Sequence, residues 1–163
     1  IPVWEKSERP KFRPINARDD SVAVKPIFKK AMEMNRCIVP ASGFYEWQKN
    51  KEGKVPYYIH LKNDELFGFA GLYSTWTSPK GINVLSYLII TTKPNDLMKP
   101  IHDRMPVILK KEEEEEWLNP DNTQTEKLLN LLNPYDESQM EAYQVSTRVN
   151  NVGENAMDLM ERV

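Results

Sequence analysis

Two short stretches of the chain hold residue types that could move protons. The stretch "GFYEWQ" carries Glu46 among aromatic residues, and "IHDRMP" carries His102 next to Asp103. If the first stretch is a strand, alternation places Glu46 on the same face as Phe44. Burial there would raise the pKa of Glu46 toward the range of a general acid or base. An edge-strand glutamate that faces water is the structural alternative.

His102 is one of two histidines in the sequence. Histidine titrates near neutral pH and therefore suits proton transfer. Arg104 could hold a phosphate, or Asp103 could pair with His102 or with Arg104. A polar turn ahead of the buried strand "PVIL" would explain the same residues, so this stretch alone leaves both interpretations open. The other histidine, His60, alternates with tyrosines and is interpreted as strand surface or core.

The N-terminal part of the chain offers groups that suit an anionic partner. In "PINAR", Asn16 can donate and accept hydrogen bonds, and Arg18 presents a planar fork that matches a phosphate. Alternatively, Arg18 pairs with Asp19 or Asp20 in a structural turn. Trp4 lies near prolines, where it could stack on an unpaired base or fill the core.

Composition limits the classes of function. The longest apolar run, around "SYLIITT", is too short to cross a bilayer, so we expect no membrane partner. Cys37 is the single cysteine of the sequence, which fits a reducing, cytoplasmic compartment, and no Cys/His cluster has zinc-site spacing. We therefore predict no metal and no cofactor. Residues 1–36 hold nine Lys/Arg against five Asp/Glu, which suits a polyanion or an ordinary solvated surface.

The elements that must position these residues are mainly strands. Stretches flanking "KNKEGK" and "SPKG" predict two β-hairpins, and "RCIVP", stopped by Pro40, "MPVIL" and "EAYQVST" predict further strands. A helix is predicted over Ser21–Asn35, and short surface helices over "KKEEEEEWL", docked by Trp117, and "TEKLLNLL". Together they predict an α+β fold: a single β-rich domain with mainly antiparallel strands and a few short peripheral helices.

The order of six motifs resembles one protein family. "IPVW", "INAR", "CIVPASGFYEW", "YLIITT", "IHDRMP" and "QVSTRVNN" follow one another as in the SOS-response-associated peptidase (SRAP) family, also called abasic-site processing proteins. The likeness runs from Ile1 to the closing "ERV", so residues 1–163 are interpreted as one SRAP-like domain.

The resemblance implies a specific chemistry. Such proteins bind single-stranded DNA and capture abasic sites with a cysteine that follows the initiator methionine in a "CGR" start. Removal of that methionine, thought to be autocatalytic, exposes an α-amine and a thiol. The amine forms a Schiff base with the sugar aldehyde, and the thiol closes a thiazolidine ring. The resemblance also implies a cytoplasmic protein, associated with the nucleoid when it acts on DNA, and we expect a monomer.

The family's residues carry over onto matching positions of this chain. Asn16, Glu46 and His102 match catalytic positions: hydrogen bonding near the cysteine and sugar, proton transfer, and assistance of ring opening and Schiff-base chemistry. The implied DNA contacts are Trp4, Asn16, Arg18, Thr92 and Arg104.

One departure from the family pattern concerns the nucleophile. The sequence has no "CGR" start, and Cys37 lies in a different motif. We therefore expect that a segment with the nucleophilic cysteine precedes Ile1. Two other functions remain alternatives: a non-catalytic module that binds single-stranded DNA, and a peptidase that cleaves other proteins.

Overall fold

Strands dominate the secondary structure. The computed structural model of the protein describes residues 1–8, 11–51, 53–63 and 66–163. The strands in these ranges are β1 (Asn16–Arg18), β2 (Arg36–Ala41), β3 (Phe44–Asn50), β4 (Gly53–Leu61), β5 (Phe67–Thr77), β6 (Asn83–Thr92), β7 (Met105–Pro106), β8 (Ile108–Leu109) and β9 (Met140–Gln144). The α-helices there are α1 (Asp19–Val22), α2 (Pro26–Met34), α3 (Lys111–Leu118) and α4 (Thr125–Leu129).

The strands form two sheets. The larger sheet has the order β1-β6-β5-β2, with β7 added to β6 and β8 added to β5. The smaller sheet has the order β3-β4-β9, and both predicted hairpins, β3–β4 and β5–β6, are present. All pairings in the described residues are antiparallel except β1 with β6, where Asn16 lies opposite Ile89. The predicted α+β fold with mainly antiparallel strands is confirmed.

Two apolar clusters hold the layers together. The helices cover one face of the larger sheet, where Trp117 of α3 is fully buried and its indole N–H donates to the Cys37 carbonyl oxygen at 3.0 Å. The smaller sheet covers part of the other face, where Phe44 and Phe69 meet edge to face at 5.7 Å between ring centroids. Trp117 therefore docks the acidic helix, as its position after the glutamates predicts.

The strands β7 and β8, which follow the loop at residues 93–104, lie between the hairpin strands β5 and β6. Beyond Ile89, β5 and β6 no longer pair with each other; β7 pairs with β6, and β8 pairs with β5. Between them, the N–H of Val107 donates to the Ile90 carbonyl oxygen, and its own carbonyl oxygen accepts from Ala70. This double attachment fixes the end of the loop that carries His102.

The single helix predicted over Ser21–Asn35 is wrong: this region holds two helices. α1 ends at Val22, and α2 begins at Pro26, after Lys25 with an extended backbone (φ −69°, ψ 124°). Proline disfavours helical geometry in the residue before it, yet its fixed φ suits the first turn of a helix. Pro26 therefore starts α2 rather than lying inside one longer helix.

The prediction that Pro40 stops its strand is also wrong. β2 continues through Pro40, which lies opposite Gly68, to Ala41. Among the described residues, β2 pairs only with β5, so it lies at the edge of the sheet. A proline, which lacks an N–H, is tolerated on an edge strand. In the described residues, no helix is long and apolar enough to cross a membrane.

Candidate functional site

Glu46 lies on the inner face of β3, toward the larger sheet. Strand alternation places it on the same face as Phe44, which packs into the cluster between the sheets. Burial raises the pKa of the Glu46 carboxyl above its ordinary value, and the carboxylate of Asp103 adds to the rise. The positive charge of His102 and the N–H of Trp47 oppose it. Glu46 is therefore a carboxyl whose protonated form is favoured beside a histidine.

His102 lies in the loop between β6 and β7. Its Nδ1 lies 3.1 Å from the backbone nitrogen of Arg104, 3.1 Å from the Arg104 carbonyl oxygen and 3.3 Å from the Asp103 carboxylate. The ring accepts from the Arg104 N–H when its proton is on Nε2, and it donates to the carbonyl oxygen or the carboxylate when the proton is on Nδ1. The His102 side chain is partly exposed, and its charge acts on the Glu46 carboxyl.

Hydrogen bonds fix the position of the histidine loop. The N–H of His102 donates to the Met98 carbonyl oxygen at 2.9 Å, and the N–H of Met98 donates to Oδ1 of the buried Asn95 at 3.0 Å. From the opposite side, the Gln48 amide of β3 donates to the Pro100 carbonyl oxygen at 2.7 Å. Gln48 shares its face of β3 with Glu46, so this bond joins the strand of the carboxyl to the loop of the histidine.

Asn16 and Arg18 lie at the edge of the larger sheet, on β1. Both side chains are exposed and lie on one face of the strand, whereas Ala17 between them is buried in the core. Arg18 donates to Asp20 through Nε at 3.1 Å and through Nη2 at 2.6 Å. This hydrogen bond raises the pKa of the Arg18 guanidinium, and the nearby charge of Asp103 contributes in the same direction.

Thr92 and Arg104 meet at Asp19, at the start of α1. Arg104 Nη2 donates to Asp19 Oδ1 at 2.5 Å and to the Thr91 carbonyl oxygen. The Thr92 hydroxyl, only 1% exposed, donates to the other carboxylate oxygen of Asp19 at 2.7 Å. Asp19 thus joins the end of β6 to the residue that precedes β7.

Trp4 lies on the surface, and its side chain is 62% exposed. A hydrogen bond attaches its segment to the larger sheet: the Trp76 indole N–H of β5 donates to the Glu5 carbonyl oxygen at 2.7 Å. Trp4 also borders a groove of about 460 Å³ whose other walls include α2 and Tyr87 of β6. The core-filling alternative for Trp4 is therefore wrong, whereas its role in stacking stays a prediction.

The structure brings some of the candidate residues together and leaves others apart. Glu46 lies within the electrostatic range of His102, and Thr92 meets Arg104 through Asp19. The Asn16 amide makes no side-chain hydrogen bond in the part of the chain that the structure describes. Sequence reasoning missed Gln48 altogether and considered Asp19 only as a partner of Arg18, a role that belongs to Asp20. Only the position of Gln48 two residues after Glu46, on the same strand face, could have indicated it.

Cys37 and His60 lie outside this group. Burial raises the pKa of the Cys37 thiol, which makes it a poor nucleophile, and the sulfur packs close to Gly71. His60 belongs to the outer face of the smaller sheet, where its ring stacks on Tyr58 and lies 4.0 Å from Glu141. Across residues 1–8, 11–51, 53–63 and 66–163, no group of three His, Cys, Asp or Glu side chains is placed to hold a metal ion.

Sequence comparison connects the chain to one family. The family model described as "SOS response associated peptidase (SRAP)" matches residues 1–152. The abasic site processing protein YoqW of Bacillus subtilis is 51% identical over 162 residues, which cover 99% of this chain and 72% of that protein. The abasic site processing protein HMCES of Xenopus tropicalis is 32% identical, and the match covers 100% of this chain and 55% of that protein.

Solved structures share the fold. A crystal structure of a Bacteroides thetaiotaomicron protein superimposes with a TM-score of 0.85 at 37% identity, covering 91% of this chain and 65% of that one. A Bordetella bronchiseptica protein gives a TM-score of 0.72 at 26% identity, covering 80% and 64%. The chain thus spans slightly less than two thirds of the length of these structures.

Proposed function

This chain belongs to the SOS response associated peptidase (SRAP) family, and on that premise we propose that it processes abasic sites in single-stranded DNA by forming a covalent cross-link. The observation that carries the proposal is the half-buried Glu46 carboxyl within the electrostatic range of His102, on a strand that Gln48 joins to the histidine loop, because Schiff-base chemistry needs a proton donor and an acceptor at one site. The names of the similar proteins, which are abasic site processing proteins, support the same substrate.

The proposed nucleophile is an N-terminal cysteine in a segment that precedes Ile1. Its α-amine, with an ordinary pKa of about 7.7–8.0, is partly neutral near pH 7 and attacks the aldehyde carbon of the opened sugar. The resulting carbinolamine loses water and becomes a Schiff base. The thiol then adds to the imine carbon, its proton passes to the nitrogen, and the thiazolidine ring closes.

Glu46 and His102 move protons in this sequence. The protonated Glu46 carboxyl, favoured by burial, donates the proton with which the carbinolamine hydroxyl leaves as water. His102 assists opening of the sugar ring by exchanging a proton with its hydroxyl, and the Asn16 amide holds the sugar and the cysteine by hydrogen bonds. We assign to Glu46 also the proton transfer in autocatalytic removal of the initiator methionine.

An abasic nucleotide has no base to recognise, so affinity must come from phosphates and stacking. Arg18 and Arg104 are the proposed phosphate contacts, and Thr92 supports Arg104 through Asp19. The exposed indole of Trp4 is the proposed stacking platform for a neighbouring base. We propose that the protein acts as a cytoplasmic monomer on DNA, and the monomeric state is checked by light scattering.

The decisive experiment mixes the full-length protein with a single-stranded oligonucleotide that contains one abasic site. We expect an adduct that survives denaturing electrophoresis. A matched oligonucleotide whose abasic site has been reduced to the alcohol lacks the aldehyde and should give no adduct. Salt-dependent binding without an adduct would indicate a single-strand binding module instead, and cleavage of an added peptide would indicate a peptidase.

A further inference from the structure

Two consecutive aspartates at the junction of β1 and α1 hold two different arginines. Asp19 accepts from Arg104 Nη2 at 2.5 Å, and Asp20 accepts from Arg18 at 3.1 and 2.6 Å. These are the same two arginines that are proposed above as phosphate contacts. The sequence "RDD" alone does not distinguish the two aspartates, whereas the structure gives each a different partner.

The two ion pairs differ in exposure. The side chains of Arg18 and Asp20 are 60% and 51% exposed, whereas those of Arg104 and Asp19 are 19% and 23% exposed. An exposed pair is screened by solvent and contributes little to stability, so another anion can replace its carboxylate. A largely enclosed pair with additional hydrogen bonds keeps its geometry, because separating it would leave charges without solvation.

The donor atoms that each aspartate uses also differ. Asp20 accepts hydrogen bonds from Nε and Nη2 of Arg18. These two nitrogens form the edge of the guanidinium that a phosphate would bind in bidentate fashion. Asp19 and the Thr91 carbonyl oxygen both bind Nη2 of Arg104. Within the described residues, neither Nη1 nor the buried Nε of Arg104 has a hydrogen-bond partner, so the bonds to Nη2 orient the guanidinium without occupying Nη1.

Thr92 makes the Asp19 pair rigid. Its almost fully buried hydroxyl donates to Asp19 Oδ2 at 2.7 Å, so both carboxylate oxygens of Asp19 are engaged. The side chain of Asp20 is half exposed, and besides Arg18 the Ser21 hydroxyl and the charge of Arg104 lower its pKa. The hydrogen bond from Arg18 is the largest effect that lowers the pKa of Asp20.

We propose that Asp19 is a positioning residue that orients Arg104 toward the DNA strand, whereas Asp20 is an exchangeable carboxylate that occupies Arg18 until a phosphate displaces it. The inference rests on the proposed function, because it assigns these arginines to phosphates. The inference therefore predicts opposite effects on DNA binding for the two adjacent aspartates. Removing the charge of Asp20 removes a competitor of DNA, and removing that of Asp19 releases Arg104 from its orientation.

The test measures non-covalent binding of an intact single-stranded oligonucleotide to the full-length protein by fluorescence anisotropy at several salt concentrations. We expect Asp20→Asn to tighten binding about two- to fivefold, the range of an exposed ion pair. We expect Asp19→Asn to weaken binding and to make the slope of log K against log salt less steep by about 0.7, the value of one lost phosphate contact on a single strand. Asp121→Asn, which removes an exposed charge beside the acidic helix, is the control for net charge.

Two further measurements separate positioning from simple loss of folding. Partial unfolding lowers the fraction of protein that binds DNA but leaves the slope of log K against log salt unchanged. If Asp19→Asn has the same slope as the wild-type protein, the positioning role is overturned. If Asp19→Asn does not fold by circular dichroism, Thr92→Val removes the hydroxyl support while it keeps both charges. We expect that variant to weaken binding in the same direction by a smaller factor, and unchanged or tighter binding would overturn the inference.

The remaining outcomes are distinguishable. Tighter binding by both aspartate variants and by Asp121→Asn would reduce the effect to net charge and overturn the inference alone. Weaker binding by Asp20→Asn would overturn the exchange. If the wild-type protein shows no salt-dependent binding of single-stranded DNA, the proposed function itself fails, and the inference fails with it.

Discussion

At the scale of single residues, the chemistry of the site depends on the surroundings of Glu46. An exposed glutamate is almost fully ionised at neutral pH and is a poor proton donor. On the inner face of β3, burial raises its pKa, and the positive charge of His102 limits that rise. The site therefore offers a carboxyl whose protonated form is favoured, within the electrostatic range of a histidine.

The first prediction concerns the rate of cross-linking. Glu46→Gln keeps the size and polarity of the side chain but removes the transferable proton. We expect the rate of adduct formation to fall about a hundredfold or more, since a positioned general acid typically contributes 10²–10⁴. Glu112→Gln, an exposed change on α3, should leave the rate unchanged. An equal loss of DNA affinity in Glu46→Gln would contradict a role in proton transfer.

The second prediction concerns stability against pH. Because the pKa of Glu46 in the folded protein lies above its ordinary value of 4.5, the folded state binds this proton more tightly than the unfolded state. This group therefore lowers stability progressively as the pH rises from 4.5 through the raised pKa. We expect Glu46→Gln to melt at a higher temperature than wild type in mildly alkaline buffer, with the difference vanishing below pH 4.5. A constant difference across the range would contradict the pKa rise.

At the scale of elements, the site is a strand facing a loop. The larger sheet fixes one end of that loop, where Val107 is bonded to both β5 and β6. The hydrogen bond from Gln48 to Pro100 connects the loop to β3. The placement of Glu46 relative to His102 thus depends also on contacts that residues outside the pair make.

The third prediction tests this connection. Gln48→Ala removes the only described hydrogen bond between the side chains of β3 and the histidine loop. We expect adduct formation to slow several-fold, while the free energy of unfolding changes by less than about 1 kcal/mol, the usual value of one exposed hydrogen bond. Gln139→Ala, in the turn before β9, serves as the control in the same rate measurement. A rate equal to wild type would show that other contacts hold the loop.

The fourth prediction concerns the turn that leads into β3. A Cβ added at Gly43 would lie 2.3 Å from the ring carbon and hydroxyl oxygen of Tyr58. Tyr58 is buried and contacts the rings of Tyr45 and Tyr143, at centroid distances of 5.3 and 5.9 Å, so it has little room to move. Gly43→Ala should destabilise the protein by about 1–3 kcal/mol, the usual cost of overpacking.

The measurement for Gly43→Ala is denaturant unfolding, with Gly153→Ala as the matched control. A Cβ at Gly153 would meet its nearest neighbour, Asn151 Oδ1, at an ordinary 3.4 Å, so that variant should unfold like the wild type. Because β3 carries Glu46, Gly43→Ala should also slow cross-linking. Wild-type stability in this variant would mean that Tyr58 can shift without cost.

At the scale of the whole molecule, one buried arginine joins the helices to the sheet. Arg36 at the start of β2 donates five hydrogen bonds to backbone carbonyl oxygens, all within 3.1 Å. The acceptors are Trp117, Met32, Glu33, Asn119 and Asn122. The guanidinium therefore replaces water at the C-terminal ends of α2 and α3, where helix carbonyl groups lack partners.

The fifth prediction follows from this role. Arg36→Ala leaves several buried carbonyl groups without donors and should lower the free energy of unfolding by about 3 kcal/mol or more. Arg148→Ala removes an exposed arginine with two carboxylate partners, at 2.7 and 2.8 Å, and should cause a much smaller loss. Thermal or denaturant unfolding of both variants shows whether the loss of stability depends on the burial of the arginine or only on how many hydrogen bonds it makes. Equal losses would contradict the importance of burial.

Much of the fold was predictable because its signals are local. Hairpins follow from short turn-rich stretches between alternating strands, and the docking of α3 follows from one tryptophan after a run of glutamates. The break at Pro26 and the strand through Pro40 were not predictable with the same certainty. Proline ends an element or lies inside it according to the neighbours that the tertiary fold supplies. β2 tolerates Pro40 because its outer edge has no partner strand in the part of the chain that the structure describes.

The sequence by itself determined which residue types are available for chemistry: a glutamate in an aromatic strand, a histidine before a buried strand, and an arginine after an asparagine. Motif order determined the family, since order is a property of the chain. Only the tertiary structure decided that Glu46 lies within the electrostatic range of His102, and that Asp19 holds Arg104 while Asp20 holds Arg18. Burial and pairing depend on segments far apart in the chain, and no local pattern specifies which of two adjacent carboxylates becomes enclosed.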